Sequence, residues 1–134
     1  MMPSPASGKI HVAAGKTRAR VLIVDDEPLV RWSLASALRV AGFDSVTASC
    51  GAEAVALACT RPAPAVVLID LELYDTDARV LVDRIREVAP ACRVLALTTS
   101  GSEVAARPAW LAVSLIRKPF DLADVVRLVE REVA

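Results

Sequence analysis

Short apolar runs alternate with amphipathic stretches along most of the chain. VLIVDD (21–26) is an apolar run ending in two acids, the pattern of a buried parallel strand. PLVRWSLASALRVAG (28–42) follows, with Leu29, Trp32, Leu34, Leu38 and Val40 near a helical period. Pro28 suits a first helical position and Gly42 a stop. FDSVTAS (43–49) predicts a shorter, more exposed strand, and GAEAVALACTR (51–61) an Ala-rich helix closed by Pro62 and Pro64. AVVLIDL (65–71) is again a strand, ARVLVDRIREVA (78–89) a helix stopped by Pro90, and CRVLALTT (92–99) a strand ending in hydroxyls. SLIRKPF (114–120) contains a last strand, and DLADVVRLVEREVA (121–134) closes as an amphipathic helix with Asp121 as its N-cap. Between them, residues 100–113 contain Gly101 and Pro108 and leave room for a short or broken helix. Residues 1–20 mix Pro, Ser, Gly and Ala with bases and show no period, so they read as a flexible tail.

Five strands alternating with about five helices predict one α/β domain over 21–134. Its expected form is a doubly wound, five-stranded parallel sheet in the flavodoxin-like order 2-1-3-4-5, with helices on both faces. Composition agrees: 54% of the 134 residues are hydrophobic but only 4% aromatic, so the core is built from Ala, Val, Leu and Ile. Net charge is zero, which gives no general case for nucleic-acid or membrane binding. The balance is uneven, because the tail holds four bases and no acid. Cys50, Cys59 and Cys92 are too scattered for a disulfide framework or a zinc site, and with no apolar run of membrane length the expected location is cytoplasmic. His11, the single histidine, lies in the tail, so the core has no Ser-His or Cys-His nucleophile pair.

Open parallel sheets bind ligands beyond the carboxyl ends of their strands. Here those ends carry Asp25 and Asp26, then Asp70, then Thr98, then Lys118. Three carboxylates in one crevice repel, and either one carboxyl takes a raised pKa or a divalent cation binds; an all-oxygen set favours Mg²⁺ or Mn²⁺. A lysine and a threonine hydroxyl beside them suit the oxygens of a phosphoryl group, and a carboxylate nucleophile gives an acyl phosphate.

The set resembles the receiver domain of bacterial two-component response regulators, a CheY-like fold. The resemblance covers Val21 to the end and rests on VLIVDDEP (21–28), the acid of VVLIDLEL (66–73), the Thr of LALTT (95–99) and the Lys-Pro of IRKPF (116–120). It implies Asp70 as phosphoacceptor, Asp26 as direct Mg²⁺ ligand, Asp25 acting through water, and Glu72 lending its backbone carbonyl to the metal. It implies Thr98 as the switch hydroxyl and Lys118 as the phosphoryl-binding lysine, with a cis Lys118–Pro119 bond. The implied partners are a sensor histidine kinase or histidine phosphotransfer protein and a downstream output partner. Direct nucleic-acid or membrane binding by this domain is not expected, and self-catalysed phosphorylation and dephosphorylation is the only chemistry. With no output domain after the last helix, a standalone regulator and a receiver cut from a longer protein both fit. The stripe Leu122, Val125, Val126, Val129 and Val133 reads as core with an edge open to contact, so a monomer or a weak dimer through the last helix and strand is expected.

Several positions depart from the family pattern. Tyr74 and Ala78 stand where Pro and Gly are usual, and Asp75 and Asp77 add charge nearby. Leu115 replaces the aromatic residue that moves with the switch hydroxyl, so coupling to the face of the fourth helix, fifth strand and fifth helix is expected to be altered. The Glu72 side chain has two readings, one facing the phosphoryl site and one pointing outward. Asp26 is also a candidate cap for the helix at Pro28, and Trp32 and Trp110 read as packing or surface residues. The departures keep a second function class open, a receiver-like interaction module that signals without phosphorylation. A flavodoxin-type cofactor binder lacks its phosphate loop, since DDEP repels phosphate. An Asp-nucleophile phosphatase finds weak support in Glu72 and no cap domain.

Overall fold

A computed structural model describes residues 18–99 and 114–134. The tail before Arg18, the 100–113 stretch with Pro108 and Trp110, and His11 lie outside the described residues. The elements in order are β1 (Arg18–Val24), α1 (Pro28–Val40), β2 (Phe43–Ala48), α2 (Gly51–Ala58), β3 (Val66–Asp70), α3 (Ala78–Val88), β4 (Arg93–Thr98), β5 (Ser114–Arg117) and α4 (Leu122–Val133). The strands form one parallel sheet in the order β2-β1-β3-β4-β5, as the alternation of patterns predicts.

Side-chain alternation along the strands divides the interior into two layers. Leu22, Val24, Val67, Ile69 and Val94 face α2 and α3, packing on Ala54, Ala58, Leu81, Val82 and Ile85. Val21, Ile23, Val66, Leu68, Leu95 and Leu97 face α1 and α4, packing on Leu34, Ala35, Leu38, Val125 and Val129. Both sheet faces are therefore covered, which is why the central strands read as unbroken apolar runs. Of the last helix's stripe, Val125 and Val129 are buried, Leu122 and Val126 half-buried and Val133 exposed. No helix among the described residues is long and apolar enough to cross a membrane.

Three expectations need correction. β1 begins at Arg18, not Val21, so the last three positions of the expected tail are strand. Their bases are structural: Arg18 N–H donates to the Gly42 carbonyl, its guanidinium lies 5.0 Å above the Phe43 ring, and it pairs with Glu130. Arg20 pairs with Asp44 at 2.7 Å and also donates to Thr60 and Pro62. In α1 the buried positions are Leu34, Ala35 and Leu38, whereas Leu29, Trp32 and Val40 lie exposed on the outer face. The inward stripe runs through Val30, Leu34, Leu38 and Ala41, and the extra apolar residues blurred its phase. Asp26 does not cap α1: the N-cap is Glu27, with no side-chain bond. Gly42 ends that helix with φ +96°, a conformation that favours glycine. Asp121 caps α4 by accepting from Ala123 N–H, as expected.

The burial contrast in α1 sets a test. Leu34→Ala, at a site 1% exposed, is expected to lose about 2–5 kcal/mol of stability, while Trp32→Ala, at 68% exposed, changes it by less than about 0.5 kcal/mol. Urea denaturation of both variants reads this directly; equal losses would contradict the assigned face.

Candidate functional site

Strand register brings the chemistry together. Val24 pairs with Ile69, Asp70 with Leu97 and Thr98 with Arg117, so Asp25, Asp70, Thr98 and Lys118 leave the sheet at nearly one level on adjacent strands. Lys118 N–H closes the edge by donating to the Thr98 carbonyl at 2.8 Å. Asp25 is fully buried, and Asp70 and Thr98 nearly so. One carboxylate oxygen from each of Asp25, Asp26 and Asp70 lies within 4.8 Å of the others.

Each carboxylate is aimed by the backbone beside it. Asp25 Oδ1 accepts from Glu27 N–H and Asp70 Oδ1 from Glu72 N–H, both at 2.9 Å. These paired turns, two residues ahead in each case, leave the Oδ2 atoms directed at Lys118 Nζ, at 2.8 Å from Asp25 and 3.6 Å from Asp70. Asp26 Oδ2 accepts from Tyr74 N–H at 3.1 Å and ties the loop after β3 to the loop after β1. Arg31 donates to the Asp25 carbonyl at 2.7 Å and braces the same turn. The Lys118–Pro119 bond is cis, as the resemblance implies; Arg61–Pro62 is cis as well.

Lys118 pairs with two of the three pocket acids, Asp25 and Asp70, and Glu27 draws on it too, at 2.8 Å. Burial pushes the Asp70 carboxyl up to about 6. The Glu72 N–H bond and Lys118 pull it down, while the charges of Asp25 and Glu72 add to the rise. Burial alone would lower Lys118, but hydrogen bonds to Asp25 and Glu27 and the charges of Asp25 and Asp70 hold it above its ordinary value. Asp25 Oδ2 is buried and rests on the Lys118 ammonium at 2.8 Å. Three carboxylates whose oxygens lie this close together are an all-oxygen donor set that fits a hard divalent cation.

Glu72 takes neither expected form in full. Its carboxylate does not join the three-acid cluster, and although the residue is exposed, its side chain is engaged along with its backbone. Its Oε2 accepts from Thr98 Oγ1 at 2.6 Å, and Oε1 accepts from Thr99 N–H at 2.9 Å and Thr99 Oγ1 at 3.1 Å. Burial raises its pKa, but these bonds outweigh it and the carboxyl lies below the usual range. The neighbouring acids are spent on structure: Asp77 caps α3 through Arg79 and Val80 N–H, and Asp75 accepts from Gly51 N–H at the start of α2. Tyr74 is exposed and Ala78 opens α3, while Leu115 sits half-buried on β5 opposite Ala96. The sequence reading overlooked Glu27, Thr99 and the Tyr74 amide. Glu27 was visible in the run DDEP, whereas Thr99 and a backbone amide carry no signal until the loops are placed.

Residues 21–130 match the family described as response regulator receiver domain. The photosynthetic apparatus regulatory protein RegA of Cereibacter sphaeroides is 37% identical over 113 residues, spanning 83% of this chain and 60% of that protein. The DNA-binding transcriptional regulator NtrC of Escherichia coli is 34% identical over 119 residues, 87% of this chain but 25% of NtrC. The chain thus spans less than two thirds of either relative, 60% of RegA and 25% of NtrC. Among solved structures, NtrX of Brucella abortus superposes with a TM-score of 0.78 at 30% identity over 86% of this chain and 27% of that one. The chemotaxis protein CheY4 of Vibrio cholerae gives 0.74 at 28% identity, over 87% and 98% of the two chains.

The raised Asp70 carboxyl generates a stability prediction. Its value of about 6 exceeds the ordinary 3.8, so the ionised form costs stability above about pH 6, and the cost fades as pH falls toward 4. In metal-free protein, Asp70→Asn is expected to gain about 1–3 kcal/mol at pH 7 and little at pH 4. Thermal denaturation at both values measures it; a gain independent of pH would contradict the burial argument.

Proposed function

The chain belongs to the response regulator receiver domain family, and on that premise we propose that it accepts a phosphoryl group on Asp70 from a phosphohistidine. The donor is a sensor histidine kinase or a histidine phosphotransfer protein. The observation that carries the reading is the convergence of Asp25, Asp26 and Asp70 with Lys118 and Thr98 at one edge of the sheet. A carboxylate oxygen of Asp70 attacks phosphorus, the P–N bond breaks with its electron pair left on the imidazole nitrogen, and the new P–O bond makes an acyl phosphate. Lys118 pairs with one phosphoryl oxygen, and the Thr98 hydroxyl donates to another. The site suits Mg²⁺, with Mn²⁺ as a substitute; Asp26, Asp70 and the Glu72 carbonyl would hold the ion, with Asp25 acting through water. Such a cation supplies charge neutralisation for the carboxylates and the transferring group.

Thr98 and Lys118 engage the phosphoryl oxygens only in the loaded state, which gives that state the differential contacts a switch requires. The consequence is a change in affinity for an output partner, with the domain itself acting in the cytoplasm, as a monomer or weak dimer, and without touching nucleic acid or membrane. The similarity to NtrC, a DNA-binding transcriptional regulator, supports control of transcription as the output.

Incubation with acetyl phosphate and Mg²⁺ is expected to add about 80 Da, one phosphoryl group, as a base-labile adduct absent from Asp70→Ala. An adduct that survives that substitution contradicts the acceptor. No adduct and no Mg²⁺ binding in the wild type would favour the alternative, an interaction module that signals without phosphorylation.

A further inference from the structure

We propose that Glu72 is a positioning residue that latches the Thr98 hydroxyl in the resting state, so that its carboxylate and an incoming phosphoryl oxygen compete for one proton. The inference rests on the phosphoacceptor reading and deepens it. A threonine hydroxyl has a single hydrogen to donate. In this structure that hydrogen goes to Glu72 Oε2 at 2.6 Å, the short distance of a bond to an ionised acceptor. Donation to Glu72 and donation to a phosphoryl oxygen on Asp70 therefore exclude each other.

The latch has a second attachment. Glu72 Oε1 takes both the amide and the hydroxyl of Thr99, so one carboxylate holds the side chain of Thr98 and the backbone immediately after it. Three donors on two oxygens fix the carboxylate's own orientation, which a lone exposed glutamate would not have. The Glu72 backbone is held as well, because its N–H donates to Asp70 Oδ1 at 2.9 Å. The acceptor, the latch and the switch hydroxyl thus form one continuous chain of hydrogen bonds from β3 to β4. Loading Asp70 inserts three acceptor oxygens beside that chain, and the hydroxyl is released from Glu72 as it turns to them.

Two measurements test the latch. The first is the Thr98 side-chain rotamer in metal-free protein, from three-bond couplings to its methyl carbon. The wild type is expected to hold one rotamer and Glu72→Ala to average over several; a single unchanged rotamer in the variant overturns the proposal. The second is the affinity for beryllium fluoride with Mg²⁺, a mimic of the loaded state. Glu72→Ala is expected to tighten it by about tenfold, the low end for one charge-assisted hydrogen bond. In a Thr98→Val background the same substitution is expected to change it by less than about twofold, as a cycle between directly bonded partners requires. Equal tightening in both backgrounds would mean charge repulsion alone and overturn the latch. If the wild type binds no mimic, the phosphoacceptor reading fails, and the rotamer measurement still decides the latch.

Discussion

Asp25, Asp26 and Asp70 crowd one pocket whose lysine, Lys118, pairs with only two of them and with Glu27, and the surroundings are arranged around that imbalance. Asp25 and Asp70 each give one oxygen to a backbone amide two residues ahead and turn the other toward Lys118. Two successive turns of the same kind, on adjacent strands, set a pair of buried acids at one height. The ammonium offsets part of the charge, but burial, with the neighbouring acids adding to it, still pushes the Asp70 carboxyl up to about 6. A domain selected for stability alone would not keep such a cluster, since neutral side chains at these strand ends cost less. The cluster therefore marks the place where stability has been given up for chemistry.

The sheet supplies the precision that the pocket needs. Parallel strands in register carry Asp70, Thr98 and Lys118 to the edge one step apart, and both faces of the sheet are packed against helices. The loop after β3 gains its shape from acids in place of the family's usual Pro and Gly. Asp26 holds the Tyr74 amide, Asp75 meets the start of α2, and Asp77 caps α3. A loop pinned at three points presents Glu72 to the end of β4, where it meets Thr98 and Thr99. Replacing ring and glycine constraints by carboxylate bonds explains how this chain departs from the pattern while keeping the frame of the site.

Strand order and the acid-bearing strand ends were legible because apolar runs of four to six residues stop abruptly at Asp25, Asp70 and Thr98. The face of α1 was not, because Leu29, Trp32 and Val40 supply apolar residues on its solvent side as well. Arg18 and Arg20 looked like tail residues until Phe43, Glu130 and Asp44 were placed beside them. Asp75 and Asp77 read as loose charge for the same reason: a capping bond depends on where two separate helices begin. The environment of Glu72 was the least legible, since its partners lie 26 and 27 residues away on another strand end. Long-range polar contacts of this kind have no period and leave no trace in hydrophobic patterning.

The central claim is that Asp25, Asp26 and the acceptor Asp70 together form one cation site. Calorimetric titration with MgCl₂ at neutral pH tests it most directly, comparing the wild type with Asp26→Asn. The account predicts saturable binding of one ion in the wild type and a loss of at least about tenfold in affinity in the variant. Equal binding by both proteins, or none by the wild type, would contradict it.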